Sequence, residues 1–467
     1  MLFNSFEFIY IFLPGTLVFY YIAGRFQSRT YAIVVLALCS LCFYGYWDWH
    51  FVFLLISSVV CNFVFGAMLQ RQRRKWLLVL GISFNLGLLG FFKYTDFFLA
   101  NISKFVLMEF EPLDFALPLG ISFFTFQQIA FLVDTYKGKA EEVNFARYSL
   151  FVSFFPQLIA GPIVHHREMM PQFEKPIARR FNTDNFSIGL LFFTIGLTKK
   201  VLIADSCAPW ANAVFDYPGD ISMLAAWVGA LSYTLQLYFD FSGYSDMAIG
   251  LGKFFNIDLP QNFNSPYKSA SIGDFWRRWH ITLGRFLRNY LYIPLGGNRV
   301  GRGRLALNVM VTFLLGGLWH GANWTFVAWG GYHGALLVLG NLCSRLRISL
   351  PRQLARGLTF LAVLFGWVLF RSESMDKARE VLGSMVDIAG FRTDALALIP
   401  GGWQEIGVLV LLLIFVNFAP NSSQWANIEK LEKRYAMSFG ILFFLCMLGM
   451  HDAVLNNVPT EFLYFNF

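Results

Sequence analysis

Charged residues are scarce in this sequence, because Asp, Glu, Lys and Arg together make up only 14% of its 467 residues. Soluble domains usually carry about 25% charged residues. A soluble chain could not hide so large an apolar remainder from water. The shortage of charge therefore excludes a disordered chain and a coiled coil, and it argues strongly against a soluble enzyme.

The motifs of common soluble enzymes are also missing. The sequence contains no GxSxG, no Walker GxxxxGK[ST], no GxGxxG after a strand and no HExxH, so the chemistry tied to those motifs has no support here. Only six cysteines occur, and most lie in or beside apolar runs. Cys39 and Cys42 have CxxC spacing but no second pair, and we interpret them as inert packing residues, with no metal site predicted.

Apolar residues dominate instead, with 56% hydrophobic and 18% aromatic residues. A helix needs about 20 apolar residues to cross the hydrocarbon core of a bilayer. By this criterion the sequence predicts an all-α polytopic integral membrane protein with about 11–12 transmembrane helices. The predicted spans lie near residues 6–23, 30–47, 51–69, 76–92, 117–133, 186–204, 221–239, 305–321, 323–342, 357–371, 403–419 and 436–450. Two more polar or Pro- and Gly-broken stretches, 147–164 and 271–298, are predicted to be re-entrant or interfacial helices.

The net charge of +8 predicts an orientation rather than a nucleic-acid partner. With both termini outside, 29 of the 37 Lys and Arg residues fall on the inner side and six on the outer side, as the positive-inside rule requires. The first span lacks a basic leader and is predicted to be retained. We predict a single membrane domain, 1–467, with N-terminal helices (1–133), a catalytic core (134–345) and C-terminal helices (346–467). The outer loop 372–402 could hold one amphipathic helix.

One histidine lies inside an apolar, glycine-rich stretch. His320 belongs to Leu315–Asn323, where three glycines allow close approach of a backbone or a substrate. An ionisable residue within the membrane predicts function, so His320 is either catalytic or buried and hydrogen-bonded, and His280 is a second candidate. The other histidines are predicted as follows: His333 packs, His165 and His166 form a solvated loop or contact headgroups, His50 joins an aromatic belt, and His451 is structural.

Carboxylates and arginines surround these histidines in the sequence. Asp240 and Asp246 lie in an otherwise apolar run, where they either form a structural network with arginine or act in acid–base chemistry. Seven arginines occur without lysine over 28 residues: Arg277, Arg278, Arg285, Arg288, Arg299, Arg302 and Arg304. Such a cluster either sets topology and contacts anionic headgroups or binds a phosphorylated donor from the cytosol.

Several ordered motifs resemble the membrane-bound O-acyltransferase family, and most closely its bacterial alginate O-acetyltransferase branch. They are Asp274-Phe-Trp-Arg-Arg-Trp-His280, Leu295-Gly-Gly-Asn-Arg299, Gly317-Leu-Trp-His320-Gly-Ala-Asn323, Tyr238-Phe-Asp-Phe-Ser-Gly-Tyr-Ser-Asp246, Pro118-Leu-Gly-Ile-Ser-Phe123 and Ile159-Ala-Gly-Pro162. The resemblance covers most of residues 1–345. It implies helices around a central funnel that meets a cytosolic opening at a thin layer.

The resemblance also implies roles for individual residues. His320 is the expected catalytic residue and His280 the second signature position, with Asp274, Asp240, Asp246, Trp319 and Asn323 in support. A neutral imidazole can take the proton of an attacking hydroxyl near pH 7. The donor is expected to be acetyl-CoA as a substrate, with no bound cofactor. Its anionic part is expected to dock on Arg277, Arg278, Arg285, Arg288 and Arg299.

The expected setting is a bacterial inner membrane, with an extracytoplasmic SGNH-type acetyltransferase and a polysaccharide synthesis and export complex as partners. The acceptor could be alginate, cellulose or peptidoglycan, whereas a D-alanyl donor for teichoic acid fits the motifs less well. A different class, a transporter or flippase using intramembrane His and Asp residues, is the alternative. Against it, the two halves of the sequence show no evident repeat.

Overall fold

The computed structural model describes most of the chain as helices joined by loops. The described residues are 1–26, 29–106, 111–140, 142, 144–175, 180–347, 350–390, 392, 399–426, 433–455 and 462–463, and none of them forms a strand. Arg179 and Lys430, which the orientation prediction counts on the inner side, lie outside these residues. The helical fold class predicted from composition is confirmed.

The chain forms two compact units. Unit 1 contains Met1–Gly196 and Tyr244–Gln261, and unit 2 contains Leu197–Gly243 and Asn262–Phe467. Helix α11 (Met223–Phe254) contributes residues to both units.

Unit 1 holds the N-terminal helices. They are α1 (Leu13–Ala23, preceded by a π-helical turn Glu7–Phe12), α2 (Arg29–Gly45), α3 (His50–Arg71), α4 (Lys75–Val106), α5 (Ile121–Tyr136), α6 (Phe145–Ser153), α7 (Phe155–Leu158), α8 (His166–Glu174) and nearly all of α9 (Thr183–Thr198). Its core is aromatic: Phe43 packs against Phe8 at 5.8 Å and Phe155 at 5.3 Å between ring centroids. Asn62 and Asn85 exchange side-chain hydrogen bonds of 3.2 and 2.6 Å, so α3 and α4 meet without an unsatisfied buried amide.

Unit 2 begins with a π-helical segment, Lys199–Ala204, and continues through helices α10 to α20. They are α10 (Asp205–Phe215), the first part of α11, α12 (Ile272–Arg278), α13 (Ile281–Leu287), α14 (Arg302–His320), α15 (Trp324–Arg345), α16 (Arg352–Arg371), α17 (Met375–Val386), α18 (Trp403–Phe418), α19 (Ser422–Ala426) and α20 (Lys433–Leu455). A second π-helical segment, Arg288–Tyr292, follows α13. Helix α17 buries Ala378, Val381 and Met385 on one side, which confirms the predicted amphipathic helix.

Each predicted span overlaps a helix, and several of these helices are long and apolar enough to cross a membrane. By length and composition, six helices among the described residues qualify: His50–Arg71, Lys75–Lys104, Thr183–Phe215, Trp324–Arg345, Arg352–Arg371 and Ser438–Leu455. Three more apolar helices are shorter: Glu7–Ala23, Thr30–Gly45 and Trp403–Phe418. The two stretches predicted to be broken, 147–164 and 271–298, consist of short helices separated by non-helical residues.

Glycines let α14 and α15 pack as a close antiparallel hairpin in unit 2. A Cβ atom at Gly317 would lie 2.2 Å from the Phe326 carbonyl oxygen, and one at Gly330 would lie 2.3 Å from that of Phe313. No side chain fits at such distances, so both positions require glycine. This packing holds His320, the last residue of α14, against the start of α15.

Candidate active site

Both signature histidines line one cavity in unit 2. The cavity has a volume of about 510 Å³, and its walls come from α12, α13, α14 and α15 and from the π-helical segment after α13. His280 and His320 are 40 residues apart in sequence, yet the fold places both in the lining of this cavity. Residues that contribute to it include Trp276, Arg277, Arg285, Arg288, Thr312 and Trp329.

His320 is 4% exposed and packs within an aromatic cluster. Its ring meets Trp329 at 5.2 Å and 87° and Phe370 at 5.2 Å and 73°, both edge-on. Rings on α15 and α16 therefore fix the imidazole from two sides. His320 is thus buried beside the glycine-mediated contact of α14 with α15, and it also lines the cavity.

His280 lies between α12 and α13 with a left-handed backbone conformation, φ 44°. It is 1% exposed, and its ring meets Phe241 edge-on at 4.7 Å. Burial lowers the pKa of His280 to about 3. The imidazole is therefore neutral at pH 7.

Asn262 orients His280, and sequence reasoning missed it. Its Oδ1 atom lies 3.2 Å from His280 Nδ1 and accepts hydrogen bonds from the Thr282 N–H at 3.3 Å and the Thr282 hydroxyl at 2.9 Å. A backbone N–H can only donate, so this atom is the amide oxygen. Nδ1 of His280 therefore carries the proton, which leaves Nε2 with the lone pair. An asparagine 18 residues away gives no sequence signal for this contact.

The predicted donor-binding arginines divide into two groups. Arg277, Arg285 and Arg288 line the cavity that contains the histidines. A second cavity of about 810 Å³ shares Arg288, Tyr292 and Asn341 with the first one.

The second cavity also carries Arg299 and Arg345. Arg345, at the end of α15, was not among the predicted residues. Arg278 lines neither of the two cavities; its Nε donates to Asp274 Oδ2 at 3.0 Å.

The three aspartates have different surroundings. Asp274 pairs with Arg277 and Arg278 at 3.4 and 3.0 Å, so it braces two arginines of the cluster. Asp240 instead pairs with Lys200 at 2.8 Å, and its Oδ2 accepts the Leu463 N–H at 2.9 Å. The structural network with arginine that was one alternative for Asp240 is thus replaced by an ion pair with a buried lysine. Asp246 is 9% exposed and belongs to unit 1.

The two remaining supporting residues also differ. Trp319 is buried, with its ring centroid 5.0 Å from that of His320 and 6.3 Å from that of His280. Asn323 caps α15, because its side chain accepts the Thr325 N–H at 3.1 Å and donates to the Glu373 carbonyl at 2.8 Å. Asn323 therefore has a capping role that connects the start of α15 to the loop after α16.

His165 and His166 correct the prediction of a solvated loop. They are 3% and 5% exposed in unit 1. His166 Nε2 lies 3.6 Å from a carboxylate oxygen of Glu142, and the Arg147 guanidinium lies 2.9 Å from the other. Burial acts to raise the pKa of Glu142, but hydrogen bonds from His166 and the Asn144 N–H, together with Arg147, hold it below its usual value.

His333 packs as predicted. It is fully buried, and its ring meets Trp276 at 5.1 Å and Trp329 at 5.1 Å. A Cβ atom at Gly366 would lie 2.5 Å from its Nε2, so α16 packs directly onto the imidazole.

Known proteins are similar to this sequence over most of its length. The sequence model of the membrane-bound O-acyltransferase family matches residues 41–370. The chain is 47% identical over 84% of its length to a peptidoglycan O-acetyltransferase of Helicobacter pylori, of which it covers 80%.

Two further relatives broaden the comparison. The chain is 42% identical over 90% of its length to a probable alginate O-acetylase of Azotobacter vinelandii, 84% of which is covered. A teichoic acid D-alanyltransferase of Bacillus subtilis is more distant, at 28% identity over 54% of the chain and 68% of the relative. The resemblance read from the motifs is confirmed, and it favours an acyltransferase over the transporter alternative.

Proposed function

The chain belongs to the membrane-bound O-acyltransferase family, and from that premise we propose that it transfers acetyl groups from a cytosolic thioester, acetyl-CoA, across the inner membrane for O-acetylation of an exported polysaccharide. The observation that carries the proposal is the shared cavity. His280 and His320 line it together with Arg277, Arg285 and Arg288. A mostly apolar cavity lined by arginine side chains and two buried imidazoles suits a donor with an anionic head and a reactive thioester end.

His320 acts as the general base in this proposal. It removes the proton from the acceptor hydroxyl while the oxygen attacks the thioester carbonyl. The new C–O bond forms, the C–S bond breaks, and the departing thiolate takes up a proton. Burial holds His280 neutral and Asn262 orients it, so it keeps an uncharged, oriented imidazole on the wall of the same cavity.

The arginines bind the anionic part of the donor. Arg288 lines both cavities, and the second cavity adds Arg299 and Arg345. Guanidinium groups match phosphate oxygens in charge and geometry. The predicted orientation, with both termini outside and this segment inside, assigns donor entry to the cytosol.

The acceptor is a hydroxyl of an exported polymer. The relative from Azotobacter vinelandii supports alginate, and the relative from Helicobacter pylori supports peptidoglycan as the second candidate. An SGNH-type acetyltransferase outside the membrane, working with the polymer's synthesis and export complex, would pass the acetyl group to its final hydroxyl.

Two measurements test the proposal. The purified protein in lipid nanodiscs, supplied with radiolabelled acetyl-CoA, should release CoA and transfer label to a soluble polyol or oligosaccharide. His320→Ala, expressed at the wild-type level, should not. Ester analysis of the exported polymers from cells with and without the gene then identifies the acceptor. Undiminished polymer acetylation in cells carrying His320→Ala would overturn the assignment.

A further inference from the structure

A groove apart from the histidines lies in unit 2, between the start of α16 and the end of α18. Its volume is about 290 Å³, and the residues that line it are Gln353, Arg356, Val410, Leu413, Ile414, Asn417 and Phe418. None of these residues lines either cavity of the candidate active site. The groove therefore has no part in the chemistry proposed above.

The α18 side of the groove is mainly apolar. Val410, Leu413, Ile414 and Asn417 follow the spacing i, i+3, i+4 and i+7, so they share one face of the helix. Val410 and Ile414 each remain half exposed. From Val410 to Asn417 the helix rises by about 10 Å. In a chain that spans a membrane, an exposed apolar wall of this length suits contact with a hydrocarbon chain.

The other end of the groove is polar. Gln353 and Arg356 lie one turn apart near the start of α16, and both line the groove together with Asn417. The Nε atom of Arg356 is buried and has no hydrogen-bond partner among the described residues. A buried N–H without an acceptor costs free energy. A guanidinium group beside two side-chain amides matches the oxygens of a phosphate group.

A second cation lies close to this polar end. Lys268, in the 3₁₀ turn Pro266–Lys268, donates from Nζ to the carbonyl of Ala419, the residue after α18, at 2.6 Å. Burial, together with the positive charges of Arg356 and Arg278, lowers the pKa of Lys268. No carboxylate of the described residues forms an ion pair with Lys268 or Arg356. The polar end therefore carries positive charge that an anion would balance.

We propose that this groove binds one anionic phospholipid, with its phosphate at Arg356 and an acyl chain along the apolar face of α18. The orientation predicted from the charges assigns this end of α16 to the cytosol, so the lipid belongs to the inner leaflet. A zwitterionic lipid would bring its own cation to a site that is already positive. A helix with its side chains is about 10–12 Å across, so a groove this small suits an acyl chain better than a partner helix.

The test measures lipid binding to the full-length protein in detergent by native mass spectrometry. Wild type should bind phosphatidylglycerol about tenfold more tightly than phosphatidylcholine with the same acyl chains, because only the first leaves the charge of Arg356 balanced. Arg356→Gln should remove this preference, and Arg356→Lys should keep part of it. Ile414→Trp should weaken binding of both lipids, because the larger side chain fills the apolar part of the groove.

Two matched variants control for general effects. Arg352→Gln removes the same charge one turn earlier in α16, at an exposed position that does not line the groove. Leu411→Trp adds the same ring to α18 at a largely exposed position outside the groove. Both variants should bind phosphatidylglycerol as wild type does. Melting curves of all variants verify that each one is folded.

Several results would overturn the inference. They are equal binding of the two lipids by wild type, unchanged preference in Arg356→Gln, and unchanged binding in folded Ile414→Trp. An equal loss in Arg352→Gln and Arg356→Gln would assign the preference to overall surface charge. Displacement of the lipid by soluble glycerol phosphate would show a site for free anions instead of a lipid site. None of these measurements depends on acetyl transfer, so they are independent of the proposed function.

Discussion

Five histidines are buried among the described residues; apart from His333, they form two pairs whose surroundings differ. His166 in unit 1, next to buried His165, lies beside the Glu142 carboxylate, which also pairs with Arg147. His280 and His320 in unit 2 lie among aromatic rings and line a large cavity. Burial is similar in the two pairs. The unit 2 pair lines a cavity that also carries arginines, and this access, rather than burial, is the reason for taking it as the candidate catalytic pair.

The largest expected effect on activity comes from replacing one histidine of each pair by alanine. His320→Ala should lower the rate of acetyl transfer by about 10²–10⁴-fold, the usual contribution of a general base. His166→Ala should leave kcat nearly unchanged and lower the free energy of unfolding by about 1–3 kcal/mol, because Glu142 loses a buried partner. Steady-state kinetics and thermal melts of both variants check this. A similar loss of kcat in both would remove the distinction.

The next effect concerns the tautomer of His280. Asn262→Ala should lower kcat about tenfold or more, because Nδ1 loses its acceptor. Asn262→Asp should keep the acceptor but raise the pKa of His280, since a carboxylate favours the imidazolium.

The dependence of activity on pH distinguishes the wild-type protein from Asn262→Asp. Wild-type His280, whose pKa is about 3, adds no acidic limb between pH 5 and 8, whereas Asn262→Asp should lose activity as pH falls through that range. An identical profile in the two proteins would contradict the orienting role.

A smaller effect, on the KM for the donor, should distinguish Arg288 from Arg278. Arg288→Ala should raise the KM for acetyl-CoA about tenfold with little change in kcat, because a charge-assisted contact to phosphate is lost. Arg278→Ala is the matched control, since Arg278 pairs with Asp274 and lines neither of the two cavities. Equal KM changes in the two variants would mean that the cluster acts only through its overall charge.

The smallest expected effect is a change in thermal stability that arises in unit 1 alone. The pKa of Glu142 is below its usual value in the folded protein, so its stabilising contribution is present above the unfolded-state pKa and is lost as pH falls through the folded-state pKa. Glu142→Gln should therefore melt at a lower temperature than wild type at pH 7, with the difference shrinking toward pH 4. Acetyl transfer at pH 7 should be unaffected. A melting difference that is constant with pH would contradict the ion-pair account.

Apolar runs and glycine patterns predicted much of this structure. Every predicted span overlaps a helix, and the glycines before His320 mark a close helix contact. Helix ends were predicted less well where a charge lies within a helix. Helix α4 continues past Lys93, whose Nζ donates to Ser122 at 3.4 Å, and α11 continues past Asp240 because Lys200 compensates its charge. A partner 29 or 40 residues away cannot be read from local hydropathy.

The candidate site shows the same limit. The two histidines and the arginines stand out by residue type in an apolar chain. Asn262 and Arg345 do not, because their importance comes from a contact or a shared cavity that only the fold creates. The prediction for His165 and His166 was wrong, because Pro162 and Arg167 nearby suggested a solvated loop, whereas the buried Glu142 carboxylate lies beside His166.

The most direct test of the central claim is donor-dependent acetyl transfer by three matched proteins in nanodiscs: wild type, His320→Ala and His166→Ala. All three would receive the same labelled acetyl-CoA and the same acceptor, with folding verified by melting curves. The account predicts transfer by wild type and His166→Ala and none above background by His320→Ala. Wild-type rates in folded His320→Ala would contradict it.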